Sequence, residues 1–180
     1  MKTLLLFLAL FAWTLFAAAQ EQTPPPDGAQ HTFQDELLDK MAGHWKLTGT
    51  IRGHSVEHTV EAQWVLNHQF LQVHEKDTAA PKGTGPAYEA NVMIGYDNTS
   101  ERYVAHWIDA GGGRFSETLG YGTRSGDQIE FVFEYPDGPF RTTFHWIADK
   151  KQWQWQMRSK NSTGKWVEFA NLTLAPVDTH

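Results

Sequence analysis

Gln152-Trp153-Gln154-Trp155-Gln156-Met157-Arg158 alternates polar and apolar residues without a break. A period of two marks a half-buried strand, because successive side chains leave a pleated backbone on opposite faces. Glutamine and arginine need water, so Trp153, Trp155 and Met157 must face an interior. Working backward, pairing Trp146 with Trp153 across the Ala148–Lys151 turn puts Phe140, Thr142, Phe144 and Trp146 on the same face. A further turn through Pro136–Pro139 adds Ile129, Phe131, Phe133 and Tyr135. Working forward, the last strand contributes Glu168, Ala170, Leu172 and Leu174. On this reading Trp146, Trp153, Trp155, Phe131 and Phe144 are buried, while Gln152, Gln154, Gln156 and Arg158 are exposed.

The pattern extends back to His44. Trp45–Ile51, Val56–Leu66, Gln69–Lys76, Tyr88–Tyr96, Arg102–Asp109, Phe115–Gly122, Gln128–Tyr135, Phe140–Ile147, Gln152–Lys160 and Trp166–Ala175 all read as strands, each ended by a turn signal. About ten strands joined by hairpin-length loops predict an all-β fold, an up-and-down antiparallel barrel. One short N-terminal helix is expected over Phe33–Met41. There Phe33, Leu37, Leu38 and Met41 fall at helical spacing, with Thr32 as cap and Gly43 as stop. Ala79–Gly85, with Pro81, Gly83 and Gly85, is the longest loop.

In the front half a tight turn at Arg52-Gly53-His54-Ser55 pairs Ile51 with Val56. Trp45, Leu47, Gly49 and Ile51 then share a face with Val56, His58, Val60, Ala62, Trp64 and Leu66. A two-residue turn at Asn67-His68 aligns Leu71, Val73 and Glu75 with them. His58 and Glu75 thus emerge near one barrel end, either inside or solvated at the rim. In the middle, Phe115, Glu117, Leu119 and Tyr121 form the apolar side of their strand. If the Gly111-Gly112-Gly113 hairpin pairs Asp109 with Arg114, His106 lies opposite Glu117. A one-residue slip puts Trp107 there instead, because a slip reverses the faces.

The 180 residues suffice for one domain with a sizeable core. Met1–Ala19 has a lone lysine, the apolar run Leu4–Phe16, then Ala17, Ala18 and Ala19: the layout of a secretory signal peptide cleaved after Ala19. The run is short for a membrane span, so no stable membrane anchor is expected. Residues 20–32, with Pro24, Pro25 and Pro26 in Gln20–Gln30, read as a disordered or extended leader, 33–176 as the barrel domain and 177–180 as a tail. With no cysteine the domain relies on its core, as suits a bacterial periplasmic or secreted protein. The formal charge of −6 becomes about −7 once Lys2 is removed, which argues against nucleic acid or anionic membrane as the main partner.

Gly43-His44-Trp45 resembles the G-x-W signature of the calycin superfamily, which includes lipocalins and fatty-acid-binding proteins. Three longer segments, running from Trp64 to Leu71, from Tyr103 to Asp109 and from Gly112 to Gly122, look like a bacterial family catalogued as domain of unknown function 1579. The resemblance spans roughly Leu37 to Leu174 and implies a calycin-like barrel. It brings no catalytic residue with it. A more distant calycin relative, nitrobindin, binds haem through a histidine inside its barrel. The late strands here turn Trp153, Trp155, Met157, Ala170 and Leu172 inward, none of them histidine, so no cofactor is expected.

His54, His58, His74 and Glu75 have the chemistry of a zinc site, but nine histidines make such coincidences easy, and no metal is expected. His106 with Glu117 is a weak candidate acid–base pair, or else a buried structural pair. The ligand-facing set is His58, Glu75, His106, Glu117, Trp64, Phe131 and Trp155. Wall side chains rarely fill a barrel of this width, which favours a small, largely apolar ligand in the interior. An enzyme using an interior His/Glu pair and an interaction protein with a solid core are the alternatives.

Overall fold

Strand Gln152–Lys160 forms as its alternation requires, with Trp153 and Trp155 fully buried and Gln156 and Arg158 in water; Gln152 and Gln154 are half-buried rather than exposed, Gln154 bonding Asn171 on the next strand. The computed structural model describes residues 33–78 and 87–177. In order they form α1 (Glu36–Asp39), β1 (Gly43–Ile51), β2 (His54–Val65), β3 (Phe70–Asp77), β4 (Glu89–Asp97) and β5 (Arg102–Asp109). Then come α2 (Gly113–Ser116), β6 (Leu119–Ser125), β7 (Gln128–Tyr135), β8 (Gly138–Ile147), β9 (Gln152–Lys160) and β10 (Trp166–Pro176). Each strand pairs antiparallel with its sequence neighbour, and β1 pairs with β10 from Trp45↔Pro176 to Ile51↔Ala170, closing a ten-stranded barrel. Among the described residues no helix is long and apolar enough to cross a membrane. The proposed signal segment, the proline leader, the Ala79–Gly85 loop and most of the tail lie outside the described residues.

One barrel end is plugged. Helix α1 is shorter than the expected Phe33–Met41, and its cap is Asp35 rather than Thr32, which lies outside the described residues. The Asp35 carboxylate accepts the backbone N–H groups of Leu37 (2.8 Å) and Leu38 (2.9 Å), the Tyr103 hydroxyl and the Arg124 guanidinium. Leu37, Leu38 and Met41 are driven fully into the barrel. The carbonyls left over at the end of such a short helix need donors. Trp153 Nε1 supplies Lys40 (3.3 Å) and Trp45 Nε1 supplies Met41 (2.7 Å). Thus two buried indole N–H groups and two orphan carbonyls satisfy one another.

Face assignments held for most strands. Phe131, Phe144, Trp153 and Trp155 are at most 1% exposed. Trp146 is half-buried against Trp45 and Trp153. The first hairpin turns at Arg52-Gly53, pairing Ile51 with His54 rather than Val56; the two-residue shift leaves the faces unchanged. The β2–β3 turn spans four residues in the expected register, and Leu66, in left-handed backbone, is 66% exposed rather than inward. Glu168 is also exposed: a bulge between Glu168 and Ala170 restarts the alternation.

The largest departure is at β5–β6. Gly113–Ser116 coils into α2, and β6 begins only at Leu119, so Phe115–Gly122 is not a strand. Leu119 (40%) and Tyr121 (41%) face out, while Gly120 and Gly122 face in. The reason is steric. Gly120 pairs with Phe133 and Gly122 with Phe131, and a Cβ added at either glycine would stand 2.5 or 2.6 Å from that ring. The glycines make room for two phenylalanines, each contributing about 1.5–3 kcal/mol when fully buried. Gly120→Ala should therefore lower stability by about 1–3 kcal/mol in denaturant unfolding. Phe133→Leu should recover part of that loss; equal losses in both backgrounds would count against the ring contact.

Candidate functional site

The end opposite α1 is built differently. Strand β1 starts beside the helix, so Ile51, the beginning of β2, the end of β3 and the ends of β5 and β7 gather at the far end. Here the inward positions carry polar groups. His58 and Glu75 are 3% and 2% exposed, inside the barrel rather than at a solvated rim. Their strands place Val60 opposite Glu75 and His58 opposite Asp77, so the two side chains meet diagonally. His58 Nδ1–H donates to Glu75 Oε1 at 2.5 Å. That bond selects the tautomer and leaves Nε2 as the free ring position.

Two further residues share the space. Glu75 pairs with Ala90, and Ala90 pairs with Asp109, so both acids lie on one row with a small side chain between them. Asp109 is half-buried and accepts the Gly111 N–H at 2.8 Å. Tyr88, two residues before Ala90, puts its ring 5.8 Å from that of His58, and its hydroxyl donates to Asp109 over 3.5 Å. Burial first, then the charges of Glu75 and Asp109, hold the Tyr88 phenol far above its ordinary range; the Trp107 indole, donating to it, offsets part of this. Tyr135 is pushed up to about 12 by burial and by Asp109. Tyr135, Phe140 and Phe169 form a half-buried chain of rings around the mouth, with centroids 6.2 and 5.1 Å apart.

Below this mouth the interior is packed. Trp155 lies 4.7 Å from Phe144 and 5.5 Å from Trp107, and its Nε1 donates to Thr142 at 2.7 Å. Phe131 is sealed between Tyr103, Phe144 and Gly122. Trp64, at the plugged end, donates to Asp39 at 2.9 Å and stacks on His68. These three expected ligand residues thus serve the core and the plug.

His106 and Glu117 do not form the expected pair. His106 lies opposite Leu119 on the outer face, and its Nε2–H donates to the Ser116 carbonyl at 2.7 Å. Glu117 ends α2 and is exposed. The inward residue is Trp107, the outcome of the alternative slip. Sequence reading missed Tyr88 and Asp109 as site residues. Placing Gly120 and Gly122 inside, opposite two phenylalanines, was the signal that selects the β5 face holding Trp107 and Asp109. Among the described residues no group of three or more His, Cys, Asp or Glu is arranged to hold a metal ion.

Residues 30–175 match the model of a family described as "Protein of unknown function (DUF1579)", a span covering α1 and nearly all of the barrel. No curated protein matches the chain.

The tyrosines give a pH signature. Tyr88, Tyr103 and Tyr135 keep their protons above the ordinary value of 10.0, Tyr103 through burial and its bond to Asp35. The unfolded chain ionises first, so the stability held below pH 10.0 is lost as pH rises towards 12 and beyond. Phenolate absorbance of the folded protein at pH 11 should fall short of that in urea, and Tyr135→Phe should narrow the gap. Identical titrations in both states would contradict these environments.

Proposed function

This chain belongs to the DUF1579 family, and we propose that it binds a small, largely apolar ligand at the open end of its barrel, with His58 and Glu75 as the polar anchor. The observation that carries this is the buried 2.5 Å hydrogen bond between them. Taking two ionisable groups out of water costs several kcal/mol, and such a pair is at best near break-even for stability. Apolar residues would serve a purely structural core as well. The half-buried rings of Tyr88, Tyr135, Phe140 and Phe169 supply the apolar wall, and the packed layer of Trp155, Phe144 and Trp107 supplies a floor. A concave apolar surface with a few convergent polar groups is the usual design of a small-molecule site.

The same hydrogen bond supports acid–base chemistry as a second reading. Glu75 orients the imidazole and leaves Nε2 to take a proton. The sequence Leu4–Phe16 followed by Ala17–Ala19 supports export to the periplasm or beyond. N-terminal sequencing of the exported protein should begin at Gln20, and a retained Met1 would refute this.

Binding can be tested with the neutral fluorophore N-phenyl-1-naphthylamine. The wild type should enhance its emission, and His58→Leu with Glu75→Leu should weaken binding about tenfold while stability holds or rises. Glu75→Leu alone should lose about 3–5 kcal/mol, because His58 is left buried without its partner. Unchanged affinity in the double variant would refute the anchor. Turnover of a bound compound that vanishes in His58→Gln would make the site catalytic.

A further inference from the structure

Resting on that reading, we propose that the head group taken by the open end is a cation, an alkylammonium carried on an apolar body. Three acceptors converge there. Glu75 and Asp109 sit on one row with only Ala90 between them, two strand spacings or roughly 9–10 Å apart at the backbone. The Tyr88 hydroxyl, held by the Trp107 indole, lies against both carboxylates. The third acceptor is His58 Nε2. Its ring is 3% exposed and its Nδ1–H is committed to Glu75, and among the described residues no hydrogen bond to Nε2 is formed.

The described strands bring carboxyl groups and an imidazole to this end: Glu75 and Asp109 on one row, and Asp77 opposite His58. Among the described residues neither acid of that row is paired with lysine or arginine: Glu75 has His58, and Asp109 has the Gly111 N–H and the Tyr88 hydroxyl. Among the described residues Arg52 lies over the ring of Phe169, and Arg114 pairs with Asp137. The Tyr88 and Tyr135 phenols are raised by burial first and then by these carboxylates, Glu75 and Asp109 at Tyr88 and Asp109 at Tyr135.

The walls suit the same guest. The Tyr88 ring lies 5.8 Å from that of His58, and an aromatic face within about 6 Å of a cation attracts it. An ammonium has three N–H donors and no acceptor, which matches a site of acceptors. A carboxylate or phosphate head would meet the like groups of Glu75 and Asp109.

The test is a length-matched series titrated calorimetrically into the full mature protein: 4-phenylbutylamine, 4-phenylbutanol and 4-phenylbutyrate. The amine should bind at least tenfold tighter than the alcohol, weaken as salt is added, and leave the carboxylate without measurable binding. Asp109→Asn keeps the acceptor for Gly111 and removes the charge. It should bring the amine to within about twofold of the alcohol, with circular dichroism and thermal unfolding showing that the fold is intact. If the alcohol binds as well as the amine, or if Asp109→Asn lowers both equally, the cation assignment is overturned while the binding reading stands. If none of the three binds, both are overturned.

Discussion

Pairing of β1 with β10 removes the two edges that an open sheet of this length would present to solvent and to other chains. Closure then imposes its own demand. A ten-stranded wall encloses more cross-section than its shortest side chains can span, so each level of the interior must be filled by large residues or left for something else. The plug is the first answer to that demand. Leu37, Leu38 and Met41 enter one end, the first two from a helix only four residues long. Too short to be stable alone, it is held by the wall: Asp35 by Tyr103 and Arg124, its final carbonyls by Trp45 and Trp153.

The middle and the open end answer differently. In the middle, ring packs on ring and the buried Thr142 satisfies the Trp155 indole. Gly120 and Gly122 belong to this solution, since their missing side chains accommodate Phe133 and Phe131. Toward the end opposite α1 the described rings become half-buried and the inward positions turn polar. Burying His58 and Glu75 there works against stability unless the geometry is good, and the geometry is good. The division of the interior into a dense half and a polar half is what localises the candidate site.

The barrel was legible because a period of two is written directly into the chain. Gln152–Lys160, Gln128–Tyr135 and Arg102–Asp109 begin and end where the alternation does. His58 and Glu75 came out inward because both hairpins around β2 preserve parity. Legibility failed where parity breaks. Around 110–118 three glycines permit several backbone paths, and the chain chose a helical turn that moved β6 downstream. At β10 a bulge at Phe169 inverted the face of Glu168. Neither event leaves a trace in hydrophobic periodicity.

The sequence by itself determined the class, the number of strands and the inward side of most of them, because those follow from local alternation and from the need of glutamine, lysine and arginine for water. Which polar groups meet was decided only by the tertiary structure. His58 and Glu75 are 17 residues apart, and Tyr88 and Asp109 are 21 apart. Their meeting depends on the register of four successive strands, and register is the outcome of turn geometry and of which rings fit against which glycines. The choice between Trp107 and His106 as the inward residue of β5 was settled by Phe133 packing over Gly120 on the next strand. That contact lies between strands, where no local pattern could record it.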